Sequence, residues 1–223
     1  IYNLIGRNSG FYSTTLRIFL FRNSFLGMLQ LLAFIAGFQG LKSALQCLLQ
    51  DKNGASKIAG NITSVINGVI LIFTPFIIIG FGHDTLNVIL RLNIAYNLVD
   101  FMDASIVYKL HHTGVFLCDY LISQLQNPDV QLLCMTVYSL IEISNIFVWL
   151  YYHRIHYNGF KPTRGHILVQ LLWFGGFRLL SFILGFVLCW THKLIGEVIV
   201  LLLLSIGSVF WTHGMYKKLS HLN

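Results

Sequence analysis

Charge is what this sequence has least of. Lys, Arg, Asp and Glu supply 10% of its 223 residues, against roughly 25% in a soluble domain. With 56% hydrophobic residues and a positive mean hydropathy, that scarcity excludes an ordinary soluble domain and points to an integral membrane protein. A second domain has no room, because seven spans of about 20 residues plus loops consume the chain. A concentrated basic face is missing too. The net charge of +7 is spread over loops, which excludes a nucleic-acid partner and leaves lysine and arginine to set topology and meet lipid headgroups. Cysteine pairs are absent: Cys47, Cys118, Cys134 and Cys189 stand far apart without CxxC or Cys/His ligand spacing, so neither disulfides nor a metal centre is expected. Gly-rich phosphate loops, GxSxG elbows, HExxH helices and EF-hand loops are likewise missing, and no cofactor is expected. No internal repeat and no cleavable signal peptide is apparent.

What remains is a series of apolar runs. The expected fold is all-α: a polytopic membrane bundle of about seven transmembrane helices around a polar-lined lipid cavity. The spans read as Phe25–Leu41, Ile62–Gly82 with Pro75 as a kink, Leu86–Tyr108, His111–Gln126, Val130–Tyr152, Ile167–Cys189 and Leu194–Gly214. Residues 25–214 form the membrane domain, 1–24 an N-terminal segment, and 215–223 a basic tail with Lys217 and Lys218. Within the first segment, Phe11–Arg22 reads as an interfacial helix or a remnant of a targeting sequence. Asp51-Lys52-Asn53-Gly54 is a turn signal. Counting lysine and arginine outside the spans gives nine on the C-terminal side and four on the other, which puts the C-terminus in the cytosol or its equivalent.

The stretch Tyr96–Asn145 departs from this apolar background. Four of the eight carboxylates, Asp100, Asp103, Asp119 and Glu142, fall there in or beside apolar spans, with the pair His111–His112. Ionisable groups in hydrocarbon are costly unless they turn inward and find partners, so they mark a functional site. Asn93, Tyr96, Asp100 and Asp103 recur at steps of three, four and three, and Tyr138, Glu142, Asn145 and Trp149 at four, three and four. Each set forms one helical stripe. Asp119 follows His112 by two turns. Arg178, in a later span, is the positive partner for a carboxylate or an anionic lipid. A metal bound by the two histidines is disfavoured, because adjacent residues leave a helix on different sides.

A histidine pair opening one span, followed about thirty residues later by Glu142-Ile143-Ser144, resembles the TLC family, named for TRAM, Lag1 and CLN8. Tyr96-Asn97-Leu98-Val99-Asp100, Phe174-Gly175-Gly176-Phe177-Arg178, and Trp211 with Lys217 fit the same order, so the resemblance covers Thr85–Lys218. It implies a barrel-like helical bundle enclosing an acyl-chain cavity. Tyr96, Asp100, Asp103, Tyr138, Asn145 and Arg178 would line a lipid site. In the ceramide synthase branch the histidines are catalytic, with acyl-CoA as co-substrate and a sphingoid amine as acceptor. Carried over, His111 and His112 would be base and nucleophile, and Glu142 would orient one of them. Asn145 stands where the synthases have a second aspartate, so the chain is closer to the small TLC-domain proteins that handle lipid. Three readings follow: a lipid-handling protein, an N-acyltransferase, or a structural subunit of a larger membrane assembly. The family default is the endoplasmic reticulum, with another organelle membrane, such as the mitochondrial inner membrane, as the alternative.

Overall fold

The computed structural model describes residues 25–49, 55–103 and 106–221. The expectations for Phe11–Arg22 and for the turn at Asp51–Gly54 lie outside them. Eight helices follow one another: α1 (Phe25–Leu48), α2 (Ala55–Phe81), α3 (Asp84–Asp103), α4 (Ile106–Gln124), α5 (Pro128–Ile143), α6 (Ile146–Asn158), α7 (Arg164–Thr191) and α8 (Ile195–Ser220). No strand occurs among the described residues. α5 and α6 are two halves of one rod. That rod, α1, α2, α7 and α8 are long and apolar enough to cross a membrane, and the chain is an integral membrane protein. α3 and α4 have 20 and 19 residues, about 30 Å each, and carry Asn93, Asp100, His111, His112 and Asp119.

Neighbours in space define a closed ring: α3, α4, α8, α7, the α5–α6 rod, α2, and back to α3. α1 stands outside it against α2 and α3, where Phe38 meets the edge of Tyr96 at 5.7 Å. Ring order departs from chain order, since α4 packs on α8 and scarcely touches α5. The two ends differ. Leu71 and Ile78 of α2, Leu86 and Leu90 of α3, Ile122 of α4, Met135 of α5, Phe182 of α7 and Leu201 of α8 fill one end with a dry core. The other end, toward the C-terminus, stays hollow.

Several local choices explain the rods. At the start of α5 the Asn127 side chain accepts from the Asp129 and Val130 backbone N–H groups, with Pro128 in the first turn, a helix-start arrangement that leaves no proline donor missing. Thr163 and His166 form a capping box at α7, and α6 ends on Gly159 at φ 62°, the left-handed conformation glycine adopts freely. α2 continues through Pro75. Proline cannot donate to Leu71 C=O, and the Ser139 hydroxyl of α5 lies 2.8 Å from that oxygen, so the carbonyl freed in hydrocarbon is satisfied across the interface.

The boundary between the third and fourth spans differs from expectation. α3 ends at Asp103 and α4 begins at Ile106, so Tyr108 belongs to α4 and the histidines lie inside it rather than at its start. The fifth span, expected as one helix, breaks at Ser144-Asn145. The Ile143 carbonyl exposed by the break is taken by the Trp173 indole N–H at 3.0 Å.

α2 and α6 approach most closely at Gly68. A Cβ there would stand 2.0 Å from the Trp149 ring tip, and that ring is only 9% exposed. Gly68→Ala is therefore expected to cost about 1–3 kcal/mol of overpacking, read as a lower melting temperature in detergent. Trp149→Phe, which shortens the ring, should recover part of the loss.

Candidate functional site

The hollow end of the ring is a cavity of about 690 Å³, within the roughly 300–1,000 Å³ of small-molecule sites. Lys57 and Lys218 are its exposed lysines, Lys42 is buried in its wall, and Asn67, Asn93 and Tyr138 are among its most deeply buried polar groups. Tyr96, Asp100, His111, His112, Glu142, Asn145 and Arg178 also line it. Of the residues expected to form a site, only Asp103 is missing: it ends α3, and its side chain lies outside the described residues. Both helical stripes face the cavity, the second across the break in its rod. Asp119 departs from its stripe. It is fully buried beneath the floor.

One polar chain runs down the α3–α4 side. Asn97 Nδ2 donates to the Asn93 carbonyl at 2.8 Å and to Asn93 Oδ1 at 3.0 Å. The amide orientation is thereby set, and Asn97 Oδ1 is left to face His112 Nδ1 at 2.6 Å. Hence the network assigns a hydrogen to Nδ1. On the other side of the ring, Nε2 lies 2.9 Å from Asp100 Oδ2, off the direction of a linear hydrogen bond. Deeper, Asn93 Nδ2 donates to Asp119 Oδ2 at 2.7 Å and to the Tyr138 hydroxyl at 3.0 Å, while Asn93 Oδ1 accepts from Asn67 at 2.8 Å. One amide thus joins α2, α3, α4 and α5. Asn67 Oδ1 and Asp119 Oδ1 are buried and have no protein donor, and Asn67 borders the cavity, where a ligand or water hydroxyl can supply one.

A second network faces it. Arg178, 4% exposed, donates from Nε to Ser144 Oγ at 2.8 Å, from Nη2 to Asn145 Oδ1 at 3.0 Å, and from Nη1 to Ser208 Oγ at 3.4 Å. Its guanidinium also stands over the Phe174 ring at 4.9 Å. Asn145 Nδ2 donates in turn to Glu142 Oε2 at 3.1 Å. The acid and the base therefore meet through an amide. Asn145 uses its donor toward Glu142 and its acceptor toward Arg178, a double role that an amide fills and a carboxylate cannot.

Three expectations are corrected. His112 is held by Asn97 and Asp100, not by Glu142. Arg178 reaches Glu142 through Asn145 rather than by direct pairing. The two histidines do not diverge to separate surfaces: both rings line the cavity with centroids 5.7 Å apart, and His111 packs edge-on to Trp211 at 4.8 Å. With α4 starting at Ile106, the pair lies about 8 Å inside the helix, and it shares one cavity with Glu142. All four cysteines are free thiols, Cys134 and Cys189 buried and Cys47 exposed. No group of three or more metal-ligating side chains occurs among the described residues.

Asn67 and Asn97 were not legible as site residues. Neither is ionisable, so the search for buried charge passes over them. Asn97 follows Asn93 by one helical turn, and that repeat is the signal that could have found it.

No family model, curated protein or solved structure matches this chain. Fold and site together define a helical membrane protein with a polar chamber inside an apolar ring.

Proposed function

We propose that the protein binds a membrane lipid, holding its polar end in the cavity between the His112 and Glu142 networks. The observation that carries this reading is the chamber itself: polar groups on six helices turn away from hydrocarbon toward one space of small-molecule size. Such groups are stabilised only by each other, by water, or by a ligand's polar atoms. The TLC resemblance supports the same reading, and with it an organellar membrane such as the endoplasmic reticulum. Native mass spectrometry of protein extracted in mild detergent is expected to show one retained lipid, phospholipid or sphingolipid. Complete absence of bound lipid would contradict the proposal.

One observation favours a second reading, acyl transfer to an amine. His112 is oriented by the Nδ1 contact to Asn97, and its Nε2, beside a second imidazole, has no hydrogen-bond partner among the described residues, an arrangement suited to general base work. In that reaction an imidazole nitrogen attacks the thioester carbonyl of an acyl-CoA and the CoA thiolate leaves. The amine then attacks the acyl-imidazole, forms the amide, and passes its proton to the neighbouring base as imidazole departs. His111, bordered by Trp211, is the freer nucleophile. Incubation with acyl-CoA should add one acyl mass to the peptide bearing His111 and His112, and His111→Ala should abolish it. An unmodified peptide together with no amide product would rule this reading out.

A further inference from the structure

The chamber mixes polar groups (Asn67, Asn93, Tyr138) with apolar ones (Val115, Phe174, Phe210, Met215). A bilayer lipid that places its polar end there needs a path from the surrounding hydrocarbon.

The seam between α6 and α7 offers that path. α5 packs closely on α7, but beyond the break at Ser144-Asn145 α6 meets α7 only sparsely. Rings fill the gap instead of interlocked backbones. Phe147 stands edge-on to Trp173 at 5.0 Å, and Trp173 lies 4.6 Å from Phe177. On the outside these residues line a groove of about 460 Å³ with Leu172, Gly176 and Leu180. Leu172 is 66% exposed and Leu180 47%, on a helix apolar enough to face lipid. Directly behind them the same two helices turn Val148, Phe174 and Arg178 to the cavity. Successive residues along each helix thus alternate between groove and chamber, and the wall is one layer of side chains thick.

We propose that the α6–α7 seam is a lateral portal, in which the hydrocarbon chain of a bilayer lipid occupies the outer groove while its polar end reaches the cavity. The occupant is an acyl chain because the groove presents carbon and ring edges, with its one indole N–H already given to Ile143. Rings can rotate aside without breaking helix hydrogen bonds, so the portal opens at small cost in structure. This inference rests on the lipid-binding reading above.

Gly176 supplies the test. A Cβ there meets nothing within 4 Å, so Gly176→Phe starts from open space and directs a ring into the groove that Gly176 lines. Wild type and variant are extracted in mild detergent and compared by native mass spectrometry and melting temperature. Both are also reconstituted in phosphatidylcholine vesicles containing a trace of phosphatidylcholine with a diazirine on one acyl chain, then irradiated. The expected result is unchanged melting of the apo variant, a loss of retained lipid of about tenfold or more, the effect of displacing roughly two buried methylenes, and loss of the label on peptides carrying Phe147 and Trp173. Retained lipid and label equal to wild type would overturn the portal while leaving lipid binding intact. So would a variant that changes only self-association, which would make the groove a contact between copies. A wild type that holds no lipid would instead sink the underlying reading.

Discussion

Arg178→Leu is expected to be the most damaging single substitution in the ring. The guanidinium joins Ser144 and Asn145 at the helix break to Ser208 of α8, and it is the cation nearest the Glu142–Asn145 pair. Leucine leaves three acceptors unmet and a partly buried carboxylate without its counter-charge. An acceptor left unmet in a buried site costs about 1–3 kcal/mol, and losing the guanidinium does this at three of them, enough to consume much of a marginal stability. The measurement is thermal or SDS-induced unfolding in detergent, where the midpoint should fall sharply. Arg178→Lys should not restore it, because an ammonium cannot reproduce the planar fork that serves Ser144 and Asn145 together. Adding Glu142→Gln to Arg178→Leu should recover part of the loss by removing the stranded charge. An unfolding midpoint unchanged by Arg178→Leu would show that the network contributes nothing to stability.

Asn145→Asp is the more discriminating substitution. By sequence alone Asn145 reads as an acid that has been lost. By geometry an acid is the wrong residue here, since Asp would present a second carboxylate to Glu142 Oε2 where Asn145 now donates at 3.1 Å. The single substitution is expected to destabilise by about 1–3 kcal/mol, the cost of an unmet buried polar group, despite direct contact of the new carboxylate with Arg178. Exchanging the two roles, with Glu142→Gln and Asn145→Asp together, restores one donor and one acceptor and places the charge on Arg178. The double variant should therefore melt near wild type. If Asn145→Asp alone is as stable as wild type, the bridging amide is not what holds the break.

Much of this could be read from residue spacing. Period-3.6 stripes located the cavity-facing sides of α3 and the α5–α6 rod, because polar groups in hydrocarbon have to converge. Spacing did not give the break at Ser144-Asn145, since neither residue is a helix breaker; the break depends on Arg178, Ser208 and Trp173, which arrive from later in the chain. Nor could it show that α4 packs on α8 instead of α5, an outcome of ring closure rather than local preference. The start of α4 was misplaced because Lys109-Leu110-His111-His112 has the composition of a loop, whereas its histidines and Tyr108 are stabilised by Trp211 and Asp100 across the cavity. The role of Asn67 follows from its contact with Asn93 across two helices and has no signature in α2 alone.

The central proposal is that a lipid's polar end sits between His112 and Glu142. The most direct test is a high-resolution density map of the protein purified without added lipid. The account predicts density in the chamber within hydrogen-bond reach of Asp100, His112 or Glu142, continuing between α6 and α7 toward Trp173. A chamber holding only separated water peaks, with an unbroken aromatic wall at Phe147 and Trp173, would contradict it.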